Sequence, residues 1–281
     1  MANAAGARLI VNADDFGLHS AVNAAVIAGH TGGVVTSCSL MPLEGAPAFD
    51  EAVALARAHP GLDIGLHFCL VGLPGLPDDH LGFLKSYARG AFPPSRVETL
   101  LHRQLDILER AGIHPSHIDS HQHLHALPAV LRAMCRAAAA RGVPAVRLPA
   151  ERGAGDASLR RRLESAALAG LARLGGPACA RCGLRHPDHF LGMAVSGHLS
   201  APFLLRLIER APASGVTEIV CHPGADNAAL TGRFDWGYDW EGELAALTDG
   251  RVREALAARG IALTNFAREY GNQAGTLPAQ A

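Results

Sequence analysis

Lysine is almost missing from this chain: Lys85 is the single one in 281 residues, and every other basic residue is arginine. It sits in Leu84-Lys85-Ser86, without the glycines of a Walker A loop, so nucleotide chemistry through such a loop is excluded. Schiff-base catalysis would have this one residue to work with. Cysteine is sparse and scattered, at Cys38, Cys69, Cys135, Cys179, Cys182 and Cys221, which is not a disulfide framework. No GxSxG, HExxH or complete GxGxxG occurs, which removes the serine-hydrolase elbow, the common zinc-protease helix and the dinucleotide fingerprint. No block of one charge is present. With 25 Lys+Arg against 26 Asp+Glu and a pI near 6.9, the chain is not one that coats nucleic acid or an anionic membrane. Residues 16–43 lack Asp, Glu, Lys and Arg, but Ser20, Asn23, His30, Thr31, Thr36, Ser37 and Ser39 interrupt them. A buried helix and strand fit that stretch better than a membrane span. The first eight residues lack the basic start and apolar core of a signal peptide, so the expected location is the cytoplasm.

What is present reads as a folded chain, with 49% hydrophobic and 18% charged residues. Near-continuous apolar runs predict strands at 9–12, 34–40, 63–70, 117–121, 145–148, 190–194, 217–221 and 262–265. Helical stretches are expected over 21–29, 46–58, 95–111, 128–141, 158–174, 201–210 and 241–258. Ser200-Ala201-Pro202 is a good helix start, and Gly112, Gly142 and Gly260 stand where left-handed C-caps are wanted. Seven or eight β-then-α units without a central linker predict an α/β fold, (β/α)-barrel-like, with seven to eight parallel strands and outer helices. An open doubly wound sheet is the other arrangement. The expectation is one domain over 1–281, its ordered core about 8–270, with loops at 72–94 and 151–156 lying over a site and a frayed tail after Gly271.

The 15 histidines are the unusual feature. On the expected frame, Asp14-Asp15 follow the first strand, His67 ends the third, Asp119, His121, His123 and His125 follow from the fourth, and His222 follows the seventh. The C-terminal ends of parallel strands gather on one face, where β/α proteins carry their sites. An Asp with two His is a sound ligand set for a divalent ion with open positions; it suits Zn, Mn, Fe, Co or Ni, and Mg less naturally. Such an ion makes a water acidic enough to attack a carbonyl, and a second carboxylate can take its proton. Bland readings exist for each residue alone: a lone Asp caps a helix, a lone His is hydrogen-bonded in a core, and His222-Pro223 is equally a turn. The run 119–125, if extended, puts its odd residues on one face, and three imidazoles on one face are hard to explain as packing. Cys179 and Cys182 with His186 and His189 suggest a small zinc knot, but a free-thiol loop is the better reading. Phe234, Trp236, Tyr238 and Trp240 could stack on a sugar or simply cover the rim.

These residues also match a known pattern. Leu9 to Gly17 (LIVNADDFG), Val35-Thr36-Ser37, Gly65-Leu66-His67 and His117 to His125 (HIDSHQHLH) resemble, in order, the YdjC-like carbohydrate deacetylase family, which includes chitooligosaccharide deacetylases and a deacetylase associated with hopanoid biosynthesis. The resemblance runs from residue 8 to about 270. It implies a barrel-like fold and removal of N-acetyl groups from amino sugars. It further implies one divalent metal ion, Mg or Zn, on Asp15, His67 and His121, with Asp14 as general base. Arg147 and the Cys221-His222-Pro223 segment match stretches of the family too. Arg147 is then expected to bind substrate, and His222 or His125 to be the proton donor. The stretch 153–184 matches nothing recognisable.

The sequence reading is therefore a metal-dependent amide hydrolase acting on an N-acetylated amino sugar or glycoconjugate. Two other readings stand beside it: a non-haem iron oxygenase, which uses the same donor types and would need oxygen, and a non-catalytic carbohydrate-binding barrel. No nucleic-acid partner is expected, and a homodimer is left open.

Overall fold

The structure is a computed structural model that describes residues 6–151 and 158–271. Eight parallel strands form: β1 (Arg8–Phe16), β2 (Ser37–Leu40), β3 (Asp63–Phe68), β4 (His117–Ser120), β5 (Ala145–Val146), β6 (His189–Leu191), β7 (Val216–Cys221) and β8 (Ala262–Leu263). Their order in the sheet is β5-β4-β3-β2-β1-β7-β6, and β8 pairs with the start of β1 before β2 begins. The sheet curls into a barrel-like shell. At the seam, the Val146 amide donates to the Arg185 carbonyl and the Arg185 amide to the Pro144 carbonyl, so the chain entering β6 touches β5. The α/β, barrel-like expectation holds, and each of the eight expected strands is present, most of them trimmed at one end.

The helices are α1 (Ser20–Thr31), α2 (Pro47–Ala58), α3 (His80–Ala88), α4 (Pro94–Arg110), α5 (Pro128–Ala140), α6 (Leu159–Arg181), α7 (Ala201–Arg210), α8 (Asn227–Thr231), α9 (Trp240–Thr248), α10 (Gly250–Ala258) and α11 (Phe266–Tyr270). Three departures have local causes. The expected loop 72–94 contains α3, started by Asp79, whose carboxylate accepts from the Gly82 amide. The single helix expected over 241–258 is two, because Asp249 leaves the helix with φ −68 and ψ 123 and its side chain caps the next one. Cys179 and Cys182 lie at the end of α6 rather than in a loop, and Cys179 Sγ faces Cys135 Sγ at 3.4 Å instead of gathering with His186 and His189. The 152–157 part of the expected second loop and the tail after 271 lie outside the described residues. No helix among the described residues is long and apolar enough to cross a membrane.

Period-two alternation divides each strand between two environments. On β1, Leu9, Val11 and Ala13 join the main apolar core beneath the helices, whereas Asn12 and Asp14 turn to the barrel interior. That interior is polar towards the C-terminal ends, with Asn12, Ser39, His117, Asp119, Arg147 and Glu218 all buried. It is apolar below, where Ile10, Ala145, Val216, Phe266 and Tyr270 cluster. Between the two layers, His117 stacks on Phe266 with ring centroids 3.7 Å apart, and burial pushes its imidazole down to about 4, so it is neutral. Gly65 on β3 makes room for that ring: a Cβ there would lie 2.3 Å from His117 Cε1 and Nε2. Gly65→Ala is therefore expected to destabilise the fold by about 1–3 kcal/mol through overpacking. Guanidinium unfolding measures this, and an unchanged midpoint would show that the His117–Phe266 stack yields freely.

Candidate metal centre and active site

The strand ends supply the site. β3 and β4 pair with His67 opposite Asp119, so these two side chains stand together on the interior face. His67 Nδ1 lies 2.7 Å from Asp119 Oδ1, which leaves Nε2 pointing at the centre. β1 is bulged between Ala13 and Phe16, where Asp15 takes φ 67. Asp tolerates this left-handed region better than most residues. The bulge breaks the alternation, so two consecutive carboxylates, Asp14 and Asp15, both reach the site. Gly17, at φ 87, then lets the chain leave the strand under Leu40, where a Cβ would sit 2.9 Å from Leu40 Cδ1.

After β4 the chain does not stay extended. Residues His121–Ala126 form a tight turn in which Gln122 and His123 are left-handed. The expected period-two face across 119–125 thus ends at Ser120. His121 nevertheless reaches the centre: its Nδ1 is 3.0 Å from Asp15 Oδ1 and 3.3 Å from His67 Nε2, and His67 Nε2 is 3.2 Å from Asp15 Oδ1. Two donors about 2.1 Å from one ion and about 90–110° apart lie roughly 3.0–3.4 Å from each other. The three atoms therefore fit the donor set of a single divalent ion, and the carboxylate behind His67 is the outer-shell partner such a ligand normally has. Asp14, His67 and Asp119 make a second close group, but the Arg147 guanidinium already bonds both carboxylates there, so a cation already occupies that side of the group.

Beneath the centre lies Arg147, buried completely. Its NH1 and NH2 grip Asp14 Oδ2 and Oδ1 at 2.7 Å each, NH1 also reaches Asp119 Oδ2 at 2.8 Å, and Nε donates to Glu218 Oε1 at 2.7 Å. Asn12 Nδ2 bonds Asp14 and Ser39, and Ser39 Oγ donates to Asp119. Arg147, expected to bind substrate, is not among the residues that line the cavity, and Nε, NH1 and NH2 each bond a carboxylate. His125, one of the two expected proton donors, does not line the cavity either. It is fully buried, Nδ1 against Ser120 Oγ at 2.6 Å and Nε2 against the Arg147 carbonyl at 3.2 Å, and burial pushes it down to about 4. His222 does face the cavity. Its Nδ1 is 3.2 Å from Ser196 Oγ, its Nε2 is 3.9 Å from Asp14 Oδ2, and its ring meets Tyr238 edge-on.

Charges at the centre are strongly coupled. Burial works to raise Asp15, but His121 and His67 outweigh it and hold its carboxyl well below the usual range. Burial works against charge on His67, yet Asp119 and Asp14 push it up to about 10. Burial raises Glu218 to about 7 even against Arg147.

The cavity above measures about 330 Å³. Asp14, Asp15, His67, His121, His123 and His222 line its inner end, and Ser196, Asp235, Trp236, Tyr238, His80 and Gln122 complete the wall. Phe234 backs Trp236 at 4.9 Å, while Trp240 is buried beside Trp236 and Tyr238, its ring centroid 6.3 and 5.5 Å from theirs. Sequence reasoning missed the buried carboxylates that hold this wall. Glu243 accepts from the His222 amide at 2.5 Å and the Leu199 amide at 3.1 Å, and Glu151 accepts from Gly192 and Ala194. Glu218 was detectable in principle, as a carboxylate in the middle of an otherwise apolar strand. Most histidines outside the site have local jobs: His19 caps α1, and His30 and His59 bond the Val35 and Leu55 carbonyls.

Removing Arg147 would leave Asp14, Asp119 and Glu218 buried without their common cation. Arg147→Met is expected to cost about 3–5 kcal/mol in guanidinium unfolding, and adding Glu218→Gln should recover part of that loss. Equal stability of Arg147→Met and the wild type would refute this account.

The family described as YdjC-like protein matches residues 8–258. A carbohydrate deacetylase of Mus musculus is 34% identical, over 91% of this chain and 93% of its own length. One from Brevibacillus brevis is 32% identical, over 92% and 98%. A crystal structure of an Enterococcus faecalis protein proposed to cleave cellobiose-phosphate superposes with a TM-score of 0.73 at 28% identity, covering 95% of this chain and all of that one. The chain belongs to the YdjC-like family, whose relatives here are carbohydrate deacetylases.

Proposed function

We propose that this protein is a divalent-metal-dependent hydrolase that removes the acetyl group from an N-acetylated amino sugar, releasing acetate and the free amine. The observation that carries the reading is the convergence of Asp15 Oδ1, His67 Nε2 and His121 Nδ1 at the inner end of one cavity, with Asp14 and His222 beside them. The deacetylase relatives support the reaction class.

Asp15, His67 and His121 would hold the ion. When bound, it supplies Lewis acidity, polarising the acyl carbonyl and making water acidic near neutral pH. The remaining work belongs to the chain. Asp14 accepts the proton of the attacking water, and Arg147, gripping both of its oxygens, fixes the direction in which the carboxylate faces. His222 donates a proton to the leaving nitrogen as the C–N bond breaks. Ser196 fixes its ring through Nδ1, and Nε2 is turned towards Asp14, so the proton taken from water has a short path to the amine. Trp236 and Tyr238 give the sugar an amphipathic wall, since an aromatic face suits the C–H face of a pyranose.

Acetate release from N-acetylglucosamine, its oligomers and N-acetylated glycolipids tests the reading. A chelator is expected to abolish release, and a divalent ion to restore it. Asp15→Asn should lose metal in equilibrium dialysis together with activity. Undiminished release by metal-free protein would overturn the proposal. Asp14→Asn is expected to keep the metal and lower kcat by about 10²–10⁴-fold; a kcat within twofold of wild type would remove Asp14 as the base.

A further inference from the structure

Among the described residues, the buried imidazoles of the cavity wall are His67, His121, His123 and His222. Three have hydrogen-bond partners; His123 has none. It is 9% exposed, and its Nδ1 is fully enclosed without a partner. Nε2 is therefore the nitrogen that the ring presents to the cavity.

The backbone turns it there. In a right-handed helical turn, residues two apart point about 200° away from each other, so His121 and His123 would face opposite sides. Gln122 at φ 57, ψ 23 and His123 at φ 51, ψ 28 instead bring both rings to one cavity. Two consecutive non-glycine residues in this region are uncommon, although His tolerates it better than most. Phe190 meets the ring edge-on at 5.8 Å, and His125 lies 6.2 Å away on the buried side. The ring is thus held by packing and not by hydrogen bonds.

A buried N–H without an acceptor is rarer and costlier than a buried lone pair without a donor. His123 then carries its proton on Nε2, facing the cavity. Asp14, Asp15 and Asp235 on the same wall are acceptors when ionised. A neutral N–H donor set among them suits an uncharged ligand oxygen, of a carbonyl or a hydroxyl.

We propose that His123 is a substrate-binding residue whose Nε2–H donates to an oxygen of the bound amino sugar. This rests on the hydrolytic reading above for the identity of the ligand. The contact gives the otherwise unpartnered ring a partner when the cavity is filled.

Two variants test it. His123→Leu keeps an apolar side chain against Phe190 and removes the donor. His123→Asn keeps a neutral N–H donor on a residue that tolerates the left-handed backbone. Binding of the N-acetylglucosamine dimer to metal-free protein is measured by calorimetry, and kcat/KM for acetate release is measured with metal restored. Zinc affinity and Tm are followed in parallel. The Leu variant is expected to lose about tenfold to a hundredfold in dimer affinity or kcat/KM, at wild-type zinc affinity and Tm, and the Asn variant to retain more of both. A fall in kcat places the contact on the acyl oxygen; a rise in KM alone places it on a hydroxyl. Dimer affinity and kcat/KM unchanged in the Leu variant overturn the proposal. So does a loss that merely follows a loss of zinc affinity and Tm, because that is a structural role. A wild type that binds the dimer but releases no acetate overturns the hydrolytic reading and leaves the binding ratio to judge this one; a wild type that does neither overturns both.

Discussion

Arg147 carries one positive charge into the middle of the barrel, where water cannot reach it, and meets three carboxylates there. Desolvating any of these ions alone would cost several kcal/mol. Together they are tolerable because the guanidinium fork satisfies Asp14 through two parallel bonds and still has Nε for Glu218. Asp119 extends the set, since its second oxygen holds His67. One buried cation thereby orients both the carboxylate proposed as base and a histidine of the candidate metal centre. Lysine could not replace it: a point charge on a flexible stem has no planar fork to share among three carboxylates.

Unusual backbone completes what this cluster begins. Regular strands deliver every second side chain to the barrel interior, which is sufficient for Asn12 and Asp14 on β1 or for His67 on β3. It cannot deliver Asp15 as well as Asp14, nor bring His121 and His123 to the same wall. Both needs are met by left-handed residues, at Asp15 and at Gln122–His123. Backbone of this kind persists where the surroundings over-determine it, and here the polar network beneath and the core outside the strands do so.

Much of this was legible in the chain itself. Apolar runs located all eight strands, and the rule that parallel strands converge at their C-terminal ends brings Asp14, Asp15, His67, His121 and His222 to one face from their sequence positions alone. Helix boundaries inside 72–94 and at Asp249 were not legible, because they depend on capping carboxylates that look like ordinary loop residues. That Arg147 and His125 lie outside the cavity lining was not legible for a related reason. Sequence position brings both near the site, but whether a side chain above a strand end points into a cavity or beneath its floor depends on neighbours distant in the chain.

The sequence by itself determined the strand–helix alternation, the side of the barrel that carries chemistry and the residue types offered there, because periodicity and strand direction are local properties. The tertiary structure decided which of those residues meet. A metal-sized spacing among Asp15, His67 and His121, the burial of Arg147 and the unpartnered ring of His123 all arise from contacts between distant segments, 106 residues apart for His121 and Asp15 and 133 for Arg147 and Asp14. No local pattern encodes them, since they depend on how the sheet curls and on which charges must share one cation once water is excluded.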